Sequence, residues 1–436
     1  MILTLEILKD EIQKVILSNL RPPSERRVGL EVETIFYNNN LCRIPVNRGQ
    51  NYSASDLMGD LLSLQSKDRY PPTYSLEPGG QLEWASSPFV SLHDINSQFQ
   101  NHVNLLENLC IQHNLIPIDL SVEPLYNPDE IGLINMKKYH LMNDRFLSTG
   151  NLGKWMMRNT ASVQVNIDFV NKKDAEEMAF VADCLQPFCS LLFSHSPFMN
   201  SHPALNENFR LQIWNDTDGS RCGCLFEHGI DTNNLISSYN DYLLKVPAIF
   251  IQAKNSEVEP FDGTLGEWLY NKKTLDRLTN ENIQSVLHQI FTHVRFKNVL
   301  EVRGADRPPF GFELAPAAFW CGLLTAEKTR DELFERVQEW SSAEKLSLVK
   351  SSEKLDLNKL GPEGKSFSQW LSIISDYAIQ GLDERAVFFN IKSERKYLEP
   401  FLEQALSGLW TFKVQHYFKK SGQNIKGFLL NSYSKK

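Results

Sequence analysis

Alternation of apolar and polar positions is the clearest pattern in the chain. In Val28-Gly29-Leu30-Glu31-Val32-Glu33 every second residue is apolar, the signature of a strand with one buried face. Val163-Gln164-Val165-Asn166-Ile167-Asp168-Phe169 repeats it more strongly, and Gln81-Leu82-Glu83-Trp84, Ile116–Val122 and Val299–Arg303 are further strand candidates. Glu77-Pro78-Gly79-Gly80 leads into Gln81–Trp84 as a turn.

Helical spacing fills much of the remainder. Met1–Leu20 reads as an amphipathic helix ended by Arg21-Pro22-Pro23. Leu92, Ile95, Phe99, Leu106 and Leu109 mark a second helix. A third runs from a cap at Asn171–Asp174 to Leu185, with Pro187 starting or kinking a further stretch towards Leu192. Asn280–Phe291, Ala315–Leu324, Phe367–Asp383 and Glu394–Ser407 follow, while Lys345–Lys365 reads as a polar loop or linker. Strands and helices do not alternate regularly, so the expected class is α+β with an antiparallel sheet. The domain expectation is a single catalytic unit over 1–436: an N-terminal helix (1–22), a core (23–325) and a mainly helical C-terminal part (326–436).

The sheet positions carry unusual polar faces. They are Glu31 and Glu33; Gln81 and Glu83; Gln164, Asn166 and Asp168; and Glu301 and Arg303. An antiparallel sheet often has one wet face, and one such strand needs no ligand to explain it. Four together are different, because Glu, Asp and Asn are depleted in strands. Glutamates at i and i+2 lie roughly 6–7 Å apart on one face and repel. A divalent cation relieves that repulsion. Mg²⁺ prefers oxygen ligands, one or two carboxylates plus water and substrate phosphate. Glu31, Glu33, Glu77, Glu83 and Glu301 are therefore candidate ligands for two or three such ions, with Mn²⁺ as a substitute. Arg303 beside them suits phosphate or carboxylate, and the ions suit polyphosphate transfer from ATP. On this reading Glu301→Gln is expected to abolish turnover and leave the fold intact.

Composition removes competing classes. The net charge of −8 lacks the basic balance of a nucleic-acid binder. The one basic cluster, Lys419, Lys420, Lys426, Lys435 and Lys436, reads as a solvated tail. No uncharged apolar run of about 18 residues is present, so no membrane span is expected. Seven cysteines without a CxxC pair indicate neither a disulfide framework nor a zinc site. A reducing, cytoplasmic location is the expectation. Gly361–Ser366 ends in Gly-Lys-Ser but has Lys359 where a P-loop needs its first glycine. Trp214–Gly219 fails as an EF-hand because Trp214 and Leu225 occupy the obligatory ligand positions. No Ser or Cys nucleophile motif is found.

Five segments, in this order, resemble the glutamate–cysteine ligase family of plant and bacterial type. They are Gly29–Glu33, Leu76–Glu83, Met156–Asn166, Trp214–Gly223 and Leu300–Asp306. The resemblance implies a glutamine synthetase-like core, a curved antiparallel sheet forming a funnel flanked by helices. It implies ATP-dependent formation of γ-glutamylcysteine through a γ-glutamyl phosphate. It also assigns Glu31, Glu33, Glu77, Glu83 and Glu301 to metal positions, Gln164 and Asn166 to the funnel interior, and Arg210 to the glutamate α-carboxylate. Arg221 is assigned to phosphate, and Arg303 and Glu301 to the reacting centre. Arg158 stands one residue before the family's arginine, whose place Asn159 takes; on a strand that shift reverses the face. The implied partners are small molecules, with no nucleic acid or membrane, and the expected state is a monomer or weak homodimer. Two alternatives stay open: a carboxylate–amine ligase using another amine, and a non-catalytic metal- or nucleotide-binding protein.

Overall fold

The computed structural model describes residues 2–65, 70–230, 234–252 and 257–434. Lys435 and Lys436 of the basic cluster lie outside the described residues.

A seven-stranded antiparallel sheet organises the fold. Its strands are β1 (Val28–Asn38), β2 (Thr73–Leu76), β3 (Leu82–Ala85), β4 (Leu115–Ile118), β5 (Ser162–Ile167), β6 (Val294–Phe296) and β7 (Leu300–Asp306). They lie in the order β6-β7-β5-β1-β3-β2, and β4 pairs with the distal half of β1. The apolar alternates of β3, β5, β7 and the first half of β1 point one way. Val28, Leu30, Val32, Leu82, Trp84, Val163, Val165, Ile167, Leu300 and Val302 all join the main core. The register follows, since a one-residue slip would turn this whole set out of the core.

Helices α1 (Leu5–Ile16), α2 (Leu92–His113), α3 (Lys172–Leu192), α4 (Ala315–Thr325) and α5 (Phe367–Phe389) share that core. Thr4 caps α1 with its side chain, as its sequence position favours. Helix α4 is apolar on every side and is buried at ten consecutive positions from Ala315 to Leu324. It meets α5 at two glycines. A Cβ on Gly322 would lie 2.1 Å from the Ala378 carbonyl oxygen, and one on Gly381 would lie 1.9 Å from that of Gly322.

Several expectations change. Pro187 neither starts nor breaks a helix: α3 runs unbroken from Lys172 to Leu192. The polar stretch Lys345–Lys365 is no simple linker, because Ser342–Ser352 is a helix capped by Ser341 and Glu344. Residues Met156–Arg158 form no strand and belong to a short helix, Gly153–Asn159. The alternation from Ile116 to Val122 becomes a strand only as far as Ile118. All seven cysteines are unpaired, Cys222 and Cys224 included. No helix among the described residues is long and apolar enough to cross a membrane.

Candidate active site

The polar face of the sheet closes over a cavity of about 360 Å³. Two larger cavities, about 1030 and 600 Å³, lie elsewhere. The donor groups, and not the volume, single out the smaller one. Its wall includes Glu31, Glu33, Glu77, Glu83, Gln164, Arg210 and Arg303.

Sheet register assembles the acidic end. Glu33 on β1 is the partner of Glu83 on β3, and Glu31 is the partner of Gln164 on β5. Glu77 arrives from the turn between β2 and β3. That turn needs its glycines: Gly80 has φ +79°, and a Cβ on Gly79 would lie 2.5 Å from Arg158 Cα. Glu33, Glu77 and Glu83 each offer an oxygen, all within 4.8 Å of one another. Among the described residues this is the one group of three or more carboxylate, imidazole or thiol ligands close enough to share an ion.

Local bonds fix the carboxylates. Glu33 accepts from Ser162 N (2.8 Å), Ser162 Oγ (3.0 Å) and Gln164 Nε2 (2.9 Å). Its backbone carbonyl accepts from Arg307 Nε at 2.9 Å. Glu31 accepts from Asn166 Nδ2 at 2.8 Å, and Glu83 from Ser75 Oγ at 2.6 Å. Burial pushes the Glu77 carboxyl up to about 7, with Glu33 adding repulsion. Glu83 is raised well above its ordinary value by burial and then by Glu31, Glu77 and Glu33. Burial raises Glu33 too, against the pull of Arg210 and Arg303.

The opposite end is basic. Arg303 donates to Gln164 Oε1 and, at 2.9 Å, to Glu301 Oε2. Arg295 donates to the same Glu301 oxygen at 2.6 Å, and Lys297 pairs with the other oxygen. Burial alone would raise Glu301, but Arg295, Lys297 and Arg303 outweigh it and hold the carboxyl well below its ordinary value. A β-bulge lies between Val302 and Ala305, opposite Val165 and Val163. The extra residue returns Ala305 to the core after Arg303 has faced the cavity. Gly304 sits in the bulge, where a Cβ would lie 1.5 Å from Gln186 Nε2 of α3.

The structure therefore sorts the residues singled out in the sequence. It brings together Glu31, Glu33, Glu77, Glu83, Gln164, Arg210 and Arg303. Asn166 supports Glu31 from outside the cavity wall. Glu301 is fully buried behind three cations, apart from the acidic trio. Arg221 is also apart: its buried guanidinium donates to Asp218, to Gln289 O (3.0 Å) and to Pro247 O. It does not line the cavity to which its expected phosphate contact belongs. Asp168 closes the far end of β5 by accepting from Asn19 and from Arg27 N. Arg158 is held by Asn143 on the helical turn and does not line the cavity. Arg210 starts the helix Phe209–Asn215 and donates to the Arg303 carbonyl at 3.3 Å. It lies 3.7 Å from Asp306, and its buried Nε has no partner.

Sequence reasoning missed Arg295, Lys297, Lys138 and Ser162, which also line the cavity. A signal for the first two existed. Val294-Arg295-Phe296-Lys297 alternates, and the hairpin places Arg295 opposite Glu301. Lys138 comes from the helix Lys137–Thr149 and has no comparable pattern.

The chain is similar to known proteins of one family. A family model described as glutamate-cysteine ligase family 2 (GCS2) matches residues 27–370. The chloroplastic glutamate–cysteine ligase of Arabidopsis thaliana is 31% identical over 276 residues, 62% of this chain and 52% of that protein. The chain thus spans about half the length of that relative. Glutamate–cysteine ligase A, chloroplastic, of Oryza sativa subsp. indica is 26% identical over 358 residues, 79% of this chain and 72% of that protein. A crystal structure of glutamate–cysteine ligase from Francisella tularensis in complex with AMP has TM-score 0.56 at 12% identity. It covers 93% of this chain and 87% of that one, a likeness of fold.

Proposed function

Because the chain belongs to glutamate-cysteine ligase family 2, we propose that it joins the γ-carboxylate of glutamate to the amine of cysteine with cleavage of ATP. The observation that carries this reading is the convergence of Glu33, Glu77 and Glu83 in one cavity with Arg210 and Arg303.

The donor set fits a hard divalent cation. It consists of carboxylate oxygens alone, with the ionised forms disfavoured until a cation arrives. Glu33, Glu77 and Glu83, with Glu31 beside them, would hold Mg²⁺ or Mn²⁺. Bound there, the metal supplies neutralisation of polyphosphate charge.

The residues themselves do the remaining work by position. Arg303, Arg295 and Lys297 form a cationic wall on which the phosphates of ATP can rest. Glu301 keeps these three side chains in place. Arg210, with its free Nε, holds the glutamate α-carboxylate by a charge-assisted bond. The glutamate γ-carboxylate oxygen then attacks the γ-phosphorus, and ADP leaves. The cysteine amine attacks the resulting acyl phosphate; phosphate departs with the C–O bond electrons, and the amine nitrogen loses a proton. No protein nucleophile takes part, so catalysis is alignment and charge balance. We assign the whole chain to one catalytic unit, since residues from Leu3 to Leu409 share the main core. One chain assembles the cavity, so a monomer suffices. The seven unpaired cysteines favour a reducing compartment such as the cytoplasm.

The test supplies Mg²⁺, ATP and glutamate with a panel of amines and follows ADP release and product mass. Cysteine-dependent ADP release with γ-glutamylcysteine as product supports the reading. Turnover with another amine only would replace the acceptor, and no turnover with any amine would leave a binding protein.

A further inference from the structure

The turn that carries Glu77 is held from behind by a residue outside the cavity. Arg43 follows β1 and makes an isolated bridge with Tyr37. Its Nη2 donates to the Gly79 carbonyl at 2.9 Å, and its Nη1 donates to Glu123 Oε2 at 2.8 Å. Glu123 is fully buried. Its other oxygen accepts from the Tyr37 hydroxyl and from Leu125 N (3.0 Å), and its own amide donates to Asn159 O at 2.7 Å. Arg43 therefore links a fixed carboxylate to the backbone two residues after Glu77.

The turn is otherwise closed by main-chain bonds. Glu77 N donates to Gln81 O, Gly80 N to Glu77 O, and Pro78 O accepts from Ile134 N. These bonds set the shape of the turn. The guanidinium fork sets where the turn sits relative to β1, because its two bonds leave in fixed directions. That matters here because Glu77 stands against Glu33 and Glu83, with carboxylate oxygens of all three within 4.8 Å of one another. Binding constellations tolerate displacements of only about 0.5 Å. A buried arginine–glutamate pair adds little net stability compared with apolar groups of similar size, so stability alone gives weak reason for this arrangement.

We infer that Arg43 is a positioning residue for the metal-binding carboxylate Glu77, acting through the Gly79 carbonyl. The inference rests on the reading of the acidic cavity as a divalent-metal site. Partners that orient a metal ligand typically contribute roughly 10–100-fold in affinity, and that is the effect expected of Arg43.

The experiment measures Mn²⁺ binding to the full chain by electron paramagnetic resonance without substrates, and the Mg²⁺ dependence of turnover. R43M, R43K and E123Q are compared with the parent, with urea midpoints recorded for each. R43M should bind Mn²⁺ about 10–100-fold more weakly and raise the Mg²⁺ activation constant by a similar factor. Its kcat at saturating Mg²⁺ should stay near the parent value, and R43K should recover part of the loss. Parent-like Mn²⁺ affinity in folded R43M overturns the inference. Should R43M fail to fold, parent-like affinity in both R43K and E123Q overturns it, and weakened affinity in either supports it. A parent chain that binds no Mn²⁺ would overturn the metal reading and the inference with it. Unchanged variants of a metal-binding parent sink the inference alone.

Discussion

Glu33 and Glu83 face one another as register partners on β1 and β3, and with Glu77 they bring carboxylate oxygens within 4.8 Å. Nothing in the packing of the apolar face asks for this. Three acids at such distance in a partly enclosed cavity oppose one another, and burial raises all three carboxyls above their ordinary values.

Replacing Glu83 by Gln keeps the shape and removes one charge. The metal-free E83Q protein should melt at a higher temperature than the parent at pH 8. Its Mn²⁺ affinity should fall by more than the roughly 10–100-fold that orienting partners contribute. Calorimetry with and without Mn²⁺ checks both; equal melting and equal affinity would contradict the cluster's role.

The pH dependence has a definite sign. Burial raises the Glu77 carboxyl from 4.5 to about 7 in the folded chain. A raised acid favours the folded state while protonated, so its contribution is full below about 4.5 and is lost as pH rises through 7. The metal-free protein should lose stability across that window, and E77Q should flatten the curve. At pH 7 divalent ion binding should also release about half a proton from Glu77. Metal titrations in two buffers of different ionisation enthalpy measure that release.

Two buried histidines act at the acid end. Burial lowers His102 and His293 from 6.5 to about 3 in each case. Both fold as the neutral ring, and His102 Nδ1 lies 3.2 Å from the Tyr74 hydroxyl. Their contribution is full above about 6.5 and is lost as pH falls through 3. Urea midpoints should drop steadily below pH 6, and H102Q should reduce that slope. An unchanged slope would place the acid sensitivity elsewhere.

Glu301 calls for a revised expectation. The sequence alone reads it as a metal ligand whose neutralisation abolishes turnover and leaves the fold intact. In the structure it balances Arg295, Lys297 and Arg303 in full burial. Breaking a buried ion network typically costs about 3–5 kcal/mol. E301Q should therefore lose stability as well as turnover, readable as a lower denaturant midpoint.

The α4–α5 crossing gives a test independent of the cavity. Gly322→Ala inserts a methyl 2.1 Å from the Ala378 carbonyl oxygen. Overpacking of this kind costs about 1–3 kcal/mol. Gly219→Ala, which meets nothing within 4 Å, serves as the control.

Alternation along Val28–Glu33 and Val163–Phe169 was enough to read two strands of the sheet, because a period of two is a local property of the backbone. The same alternation exposed the acidic and amide faces. The turn at Glu77–Gly80 was legible from its own residues for the same reason. Other features needed the assembled chain. Pro187 stays inside α3, where seventeen of the helix residues are buried and tertiary packing outweighs local preference. Met156–Arg158 became helix although the segment abuts the strand at Ser162.

Sequence by itself determined which side chains are acidic, which strands carry them and which face they share. Only the tertiary structure decided that Glu33, Glu77 and Glu83 meet while Glu301 turns to three cations. The reason is physical: a residue's face is set by its neighbours along the backbone, but its partners are set by the register of strands up to hundreds of residues apart. The same holds for Arg43, whose sequence surroundings are unremarkable. It gains its place because the chain returns to bring Glu123 and Gly79 to its two guanidinium nitrogens.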